Sequence, residues 1–186
     1  VESECSTKSL LGSFVHSAPL PTLSFRDYPH VAETVKDMRK HIRHALRSKQ
    51  AAVNIFIHGR PGTGKSELSR VIAREMRADL YEIAFEDEDG DPVPGSKRLE
   101  HLRAAQSLLK NQRSLLVYDE AEDVFSGEGF LEKSLASKRK AWMNRFFESN
   151  AIPTFWISNS NRLDPAFLRR FDFILELKVP PRHQRI

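Results

Sequence analysis

Eight residues, numbered 59–66 and reading GRPGTGKS, constrain the fold more than any other stretch of the chain. They fit the pattern G-x-x-x-x-G-K-[ST]. An apolar run of strand length, residues 53–57, precedes them, and apolar residues at helical spacing follow over residues 67–76. A glycine-rich turn between a buried strand and a helix can close backbone N–H groups around phosphate oxygens, which also face the positive end of the helix dipole. The stretch therefore predicts a phosphate-binding loop; a chance match in an ordinary glycine-rich turn is the alternative.

This loop predicts ATP and Mg²⁺ as cofactors. Lys65 is expected to reach the β- and γ-phosphates of the nucleotide, and the Ser66 hydroxyl is expected to hold the metal ion. The residues predicted to contact the nucleotide are Gly59, Arg60, Pro61, Gly62, Thr63, Gly64, Lys65, Ser66 and Glu67.

Two adjacent carboxylates at the end of a second apolar run, residues 114–118, are the next candidate feature. Asp119 lies 54 residues after Lys65, and Glu120 follows it directly. If the run is a buried strand that opens beside the phosphate-binding loop, one carboxylate can point to Mg²⁺ and the other to a water molecule. We therefore expect Asp119 to support the metal, mostly through its water ligands, and Glu120 to polarise the attacking water. The alternative is that two neighbouring acids lie in a solvated loop by chance.

Length and composition indicate one α/β domain without a membrane-spanning segment. The 186 residues include 29 basic and 25 acidic side chains, and a net charge of +4 is too small to indicate nucleic-acid binding by itself. Cys5 is the only cysteine, so an internal disulfide is impossible and a reducing, cytoplasmic location is expected. No apolar run is long enough to cross a bilayer. The chain begins at Val1 without methionine, as a fragment of a longer protein would.

The first quarter of the chain predicts an arm followed by an amphipathic helix. Residues 1–24 are rich in serine, contain Pro19 and Pro21 and show no periodicity, so they are interpreted as a linker or a loosely attached arm. A helix is predicted from an N-cap at Asp27 to about Lys49. Its polar face carries a basic set that could contact nucleic acid or, in the favoured interpretation, only solvent: Lys36, Arg39, Lys40, Arg43, Arg47 and Lys49.

The rest of the chain alternates predicted strands with predicted helices, as expected for a parallel sheet covered by helices. Ser96 is the predicted N-cap of one of these helices. The predicted strands are 53–57, 80–85, 114–120, 152–157 and 173–177, and the helices that follow the loop helix are 96–110, 131–149 and 166–170. On the helix over 131–149, the residues interpreted as core are Leu131, Leu135, Trp142, Phe146 and Phe147.

Over about residues 25–180, the chain resembles the AAA+ ATPase family, and specifically its large nucleotide-binding subdomain. The resemblance depends on the phosphate-binding loop, on the acidic strand end at 115–120, and on a third stretch. This third stretch, residues 156–159 followed by 163–172, resembles the second region of homology of AAA proteins, which generic P-loop kinases and ABC ATPases lack.

The resemblance implies roles for three further residues and an architecture. By the family pattern, Asn159 is the sensor that places the attacking water together with Glu120. Arg169 and Arg170 match the arginine fingers that complete the site of a neighbouring subunit. The implied fold is a P-loop NTPase three-layer α/β/α sandwich around a five-stranded parallel sheet in the order 5-1-4-3-2. The implied domains are an arm over 1–24, the ATPase subdomain over 25–180 and, over 181–186, the start of a link to an absent helical lid subdomain.

The function implied by the resemblance is that of an ATP-hydrolysing core in a ring-forming remodelling or motor ATPase, a homo-oligomer expected to be a hexamer. The alternative is a nucleotide-gated binding module or a loader on DNA with little hydrolysis. A full catalytic set that includes Glu120 and Asn159 favours the first. The target, protein or DNA, is not predicted. The acidic stretch after Phe85 lacks the aromatic loop of the unfoldases in this family.

Overall fold

The computed structural model of the chain describes residues 11–87, 89–125 and 133–179, with side chains described from residue 140 onward in the last range. Several sequence predictions therefore lie outside the described residues. These are the first ten residues of the predicted arm, the core side chains of Leu131 and Leu135, and the link predicted over 181–186. Within the described ranges, no helix combines the length and the apolar character needed to cross a bilayer.

A six-stranded sheet forms the middle layer of the fold. Its spatial order is β1-β3-β4-β5-β2-β6. β1 runs antiparallel to β3, and all other neighbouring strands run parallel. The carboxyl ends of β2, β4 and β5 therefore meet at one edge of the sheet, where ligands bind in open α/β sheets. The strands are β1 (Val15–Ser17), β2 (Asn54–His58), β3 (Asp79–Ile83), β4 (Ser114–Tyr118), β5 (Thr154–Ser158) and β6 (Phe173–Glu176).

The five predicted strands have the predicted order, because β6-β2-β5-β4-β3 is the order 5-1-4-3-2 counted over the parallel strands. The predicted number of strands is wrong. β1 lies in the segment interpreted as an arm and adds a sixth strand, with Val15 opposite Ile83 in the register. Its three residues are too few for a periodic pattern. They form a strand because the edge of β3 offers N–H and C=O groups that need partners.

Helices cover both faces of the sheet, which confirms the predicted three-layer sandwich. α1 (Ala32–Ser48) and α2 (Lys65–Met76) pack on one face, and α3 (Gly95–Leu109) and α5 (Lys133–Glu148) pack on the other. Two single-turn helices, α4 (Glu122–Phe125) and α6 (Pro165–Leu168), follow β4 and β5. Buried residues of the first core include Met38, Ile42, Ile55, Leu68 and Ile72, and those of the second include Phe56, Leu102, Tyr118, Phe147 and Trp156.

Three local predictions require correction. The first helix begins at Ala32 rather than after Asp27. The Asp27 carboxylate turns back to accept hydrogen bonds from Ser24, Asp27 itself ends one 3-10 turn (Phe25–Asp27), and a second (Pro29–Val31) precedes the helix. The helix predicted to be capped by Ser96 begins at Gly95, with Pro94 at the N-cap position. Trp142 is 41% exposed instead of buried, and its ring centroid lies 5.3 Å from that of Phe146.

Candidate nucleotide site

The predicted phosphate-binding loop lies between the end of β2 and the start of α2. Gly64 is the N-cap of α2 and has φ +88°, a left-handed conformation that favours glycine. At Gly59, a Cβ atom would stand 2.2 Å from the carbonyl oxygen of Leu177 in the chain that follows β6. Thr63 closes the loop internally, because its hydroxyl donates to the carbonyl of Arg60 at 2.9 Å. The start of the loop therefore has little room for a side chain beside the chain that follows β6.

Lys65 occupies the centre of the site and is only 7% exposed. Its Nζ donates to the carbonyls of Gly59 at 2.8 Å and Arg60 at 3.1 Å, and to Oδ1 of Asn159 at 2.9 Å. Burial lowers the pKa of Lys65, while the negative charges of Asp119 and Glu122 act in the opposite direction. The ammonium group thus joins the loop to the residue after β5.

The predicted metal residues are in direct contact. The Ser66 hydroxyl donates to Oδ2 of Asp119 at 2.7 Å. A hydroxyl and a carboxylate are hard oxygen donors of the kind that Mg²⁺ prefers, and Mg²⁺ usually takes one or two carboxylates while waters and phosphates complete its shell. No group of three or more His, Cys, Asp or Glu suited to a metal occurs in the described part of the chain. The pair therefore fits Mg²⁺ held jointly with a nucleotide, rather than an ion enclosed by protein ligands.

Glu120 and Asn159 face the same opening from β4 and β5. Glu120 is exposed, has φ +54°, and donates its N–H to Oδ1 of Asp119 at 2.8 Å. Asn159 donates from its backbone N–H and from Nδ2 to Oε1 of Glu122, at 3.2 Å each. These bonds orient the amide of Asn159 so that its oxygen accepts from Lys65.

One cavity of about 350 Å³ joins most of the predicted residues. Gly59, Arg60 and Thr63 are not in its lining; the first two bind Lys65 and the third braces the loop. The lining consists of Pro61, Gly62, Gly64, Lys65, Ser66, Glu67, Asp119, Glu120 and Asn159.

Arg169 and Arg170 lie apart from this cavity, after α6 and before the edge strand β6. They border a separate cavity of about 190 Å³ together with Glu148 and Asp172. Arg170 forms an ion pair with Glu148 at 2.7 Å and donates to Asn144, while Arg169 is exposed. The structure therefore does not bring these arginines to the Lys65 cavity of their own chain.

Glu67, which was included in the predicted nucleotide contacts, also binds the N-terminal segment. Its Oε1 accepts from the hydroxyl of Thr22 at 3.0 Å, from the N–H of Leu23 at 2.8 Å and from the N–H of Thr22. Burial raises the pKa of Glu67, but these hydrogen bonds together with the positive charge of Arg70 outweigh it, and the net shift is downward. The Glu67 carboxylate therefore holds Thr22 and Leu23, which precede α1, against the first turn of α2.

Three residues at the site received no role from the sequence: Tyr28, Arg98 and Glu122, whose contact with Asn159 is described above. Tyr28 is buried, and its hydroxyl donates to the carbonyl of Gly64 at 3.1 Å. Arg98 is buried as well, and it binds the backbone carbonyl of Asp119 and the carboxylate of Asp123. A sequence signal existed for Arg98, since it precedes Leu102 by four residues on the apolar stripe of α3, where a charge requires a partner.

Comparisons with known proteins identify the family of the chain. The model of the family described as "ATPase family associated with various cellular activities (AAA)" matches residues 55–179. Similar proteins include a 26S proteasome regulatory subunit homologue from Methanothermobacter marburgensis, 29% identical over 71% of this chain and 37% of the relative. The ATP-dependent zinc metalloprotease FtsH from Malacoplasma penetrans is 26% identical over 83% of this chain and 20% of its own length.

A third relative, the proteasome-activating nucleotidase of Methanococcus maripaludis, is 24% identical over 89% of this chain and 45% of its own length. The chain thus spans less than half the length of each of these three relatives. The family match covers the phosphate-binding loop, the strand end with Asp119 and Glu120, and the stretch through Arg170. On these grounds, the chain belongs to the AAA family of ATPases.

Proposed function

We propose that the chain binds ATP together with Mg²⁺ and hydrolyses the nucleotide, as the core of a ring-forming remodelling or motor ATPase. The observation that supports this most is the contact of Ser66 with Asp119 at 2.7 Å, beside Lys65, Glu120 and Asn159 around one cavity. A phosphate loop alone is compatible with many phosphate ligands. Hydrolysis requires, in addition, ligands for a metal ion, here Ser66 and Asp119, and a carboxylate that can reach water, here the exposed Glu120.

Each side chain would have one task in this reaction. Lys65 would exchange its bonds to the loop carbonyls for bonds to phosphate oxygens, since an ammonium group binds a phosphate more strongly than a neutral carbonyl. Ser66 and Asp119 would hold Mg²⁺, which neutralises charge that develops on the phosphates. Glu120 would accept a proton from water, and Asn159, oriented by Glu122, would fix the position of that water.

Assembly and target are proposed from the relatives and from the surface. The names of these three relatives refer to the proteasome and to a protease, which supports a protein client. The family resemblance supports a homo-oligomeric ring, expected to be a hexamer, and the single cysteine supports a cytoplasmic location. The basic face of α1 offers little support for the DNA alternative. Arg39 and Arg43 pair with Glu75, and Lys36 and Lys40 pair with acids of their own helix.

The proposal is tested by nucleotide binding and turnover of Lys65→Ala. Lys65 is the positive charge of the cavity, and a bond to a charged group contributes about 1.5–3 kcal/mol, so the affinity for ATP should fall by about tenfold or more. Calorimetry with Mg²⁺ and ATP measures the affinity, and phosphate release measures turnover. Lys36→Ala, at an exposed position on α1, is the matched control and should bind normally. Wild-type affinity in Lys65→Ala would contradict the proposed site.

A further inference from the structure

Arg98 is a buried charge next to the site but outside its cavity. It lies in the first turn of α3 and is 3% exposed. Removing a guanidinium group from water costs several kcal/mol unless it is paired and hydrogen-bonded. The hydrogen-bond partners of a buried arginine therefore indicate its structural role. Its partners belong to the end of β4 and the segment directly after it.

Three contacts connect Arg98 to this segment. Nη2 donates to the backbone carbonyl of Asp119 at 2.6 Å, and Nη1 contacts Oδ2 of Asp123 at 2.8 Å. The guanidinium carbon lies 4.3 Å from the ring centroid of Tyr118. Tyr118 and Asp119 directly precede Glu120 along the chain, and Asp123 follows it by three residues.

The peptide unit between Asp119 and Glu120 is held at both ends. Its carbonyl accepts from Arg98, and its N–H donates to Oδ1 of Asp119 at 2.8 Å. Because the peptide bond is planar, two fixed groups determine the orientation of the plane from which Glu120 departs. Glu120 has φ +54°, a conformation that non-glycine residues adopt only when the surroundings impose it.

We propose that Arg98 is a positioning residue for hydrolysis, which holds the Asp119–Glu120 peptide so that Glu120 borders the cavity at the place of the attacking water. This inference rests on the ATPase function proposed above. Arg98 acts through the backbone and not on the nucleotide, since it does not line the cavity. Its loss should therefore lower kcat and leave the affinity for ATP unchanged.

The test is Arg98→Met, which keeps an unbranched chain but removes every donor. A displacement of about 1 Å in a catalytic group can cost about 10²-fold in rate, and we expect a loss of that order in kcat with an unchanged Kd for ATP and Mg²⁺. Arg98→Lys keeps the charge and should recover part of the rate. Arg103→Met, an exposed arginine on the same helix, is the matched control and should behave as wild type.

A second comparison separates positioning from general support of the fold. In a Glu120→Gln background, Arg98→Met should add little further loss, because its target is already removed. A residue that only supports the fold would lower the rate by the same factor in both backgrounds. If circular dichroism shows that Arg98→Met does not fold, Arg98→Lys, which retains the buried charge, replaces it in the same cycle.

The outcomes distinguish this inference from the proposed function. A selective loss of kcat with non-additivity supports the role of Arg98. Normal kcat in Arg98→Met, or equal loss factors with and without Glu120→Gln, would overturn it while the proposed function stands. Wild-type turnover in Glu120→Gln alone would overturn the role proposed for Glu120, and the inference with it.

Discussion

Residues of opposite charge, Lys65 on one side and Asp119 and Glu120 on the other, line the candidate nucleotide cavity. Lys65 is held by two carbonyls and by Asn159, and Asp119 accepts from both Ser66 and the N–H of Glu120. Glu120 is the exposed carboxylate among them. Because an exposed carboxylate at the cavity can meet water directly, Glu120 is the residue that we expect to act on the attacking water.

At this scale we expect Glu120→Gln to bind ATP and to hydrolyse it about 10²–10⁴-fold more slowly, since an amide keeps the shape but cannot accept a proton. ATP binding by calorimetry and phosphate release measure the two effects. Glu100→Gln, at an exposed position on α3, should leave both unchanged. Asn159→Ala should show a weaker defect of the same kind. Full turnover in Glu120→Gln would mean that another group activates the water.

His101 allows a prediction about the dependence of stability on pH. The residue is buried on α3 against the ring of Phe14, and burial lowers its pKa, with Lys97 and Arg98 acting in the same direction and Glu100 against them. In the unfolded chain the pKa returns to about 6.5. Between the two values the unfolded state binds more protons, so the free energy of unfolding should fall as the pH drops below about 6.5.

Urea unfolding at several pH values between 8 and about 5 measures this slope. His101→Gln removes the titrating group and should flatten the dependence. Part of the slope should remain, because burial also lowers the pKa of His58. An identical slope in His101→Gln and wild type would show that His101 does not contribute.

At the scale of secondary-structure elements, the chain after β6 lies so close to the end of β2 that it limits which residue can begin the phosphate-binding loop. β2 and β6 pair in parallel, and the chain after β6 continues with the N–H of Leu177 donating to the carbonyl of His58 at 2.7 Å. The phosphate-binding loop begins one residue later, at Gly59. The edge strand therefore limits the room at the start of the loop, and glycine is the residue that fits there.

Gly59→Ala should consequently lower the free energy of unfolding by about 1–3 kcal/mol, the usual cost of forcing an extra group into packed structure. The added Cβ would meet a backbone oxygen, which cannot rotate away as a side chain can. Urea unfolding measures the change. Gly12→Ala, where a Cβ would meet nothing within 4 Å, is the control. Equal stability of the two variants would contradict the close approach.

At the scale of the whole molecule, the distance between the arginine pair and the cavity suggests an assembly. Arg169 and Arg170 lie beside Glu148 and Asp172 and outside the lining of the Lys65 cavity. A charge at that place can act on a nucleotide only if a neighbouring subunit brings one to it. A head-to-tail contact of this kind closes into a ring when the rotation permits. The alternative is that both arginines are surface charges, as the ion pair of Arg170 with Glu148 would allow.

Mixing two inactive variants of the assembled protein decides between these possibilities. Subunits with Arg169→Ala and Arg170→Ala keep the phosphate-binding loop, whereas Lys65→Ala subunits keep the arginines. In a mixed ring an intact loop can meet intact arginines, and activity should partly return, since an arginine supplied by a neighbour can contribute about 10³–10⁵-fold in rate. Phosphate release after mixing measures recovery. Absence of recovery despite demonstrated co-assembly would contradict the arrangement.

The sequence by itself determined the features that depend on neighbours along the chain. The loop over 59–66, the apolar strands and the acidic end of β4 are local patterns, and the structure has the loop, the strands and the predicted order of the five parallel strands. That order came from the family resemblance, because periodicity does not specify which strands pair. Helix starts were less predictable, since Asp27 bonds to Ser24 instead of opening α1.

Only the tertiary structure decided the contacts between distant segments. β1 is a strand because the edge of β3 lies beside it, and Glu67 meets Thr22 and Leu23 because the arm folds over α2. Arg98 reaches the carbonyl of Asp119 from another helix. From the sequence alone, the residues of β1, Glu67 and Arg98 each have many possible partners. Which partner they take depends on where the packed sheet and helices place the backbone groups that need one.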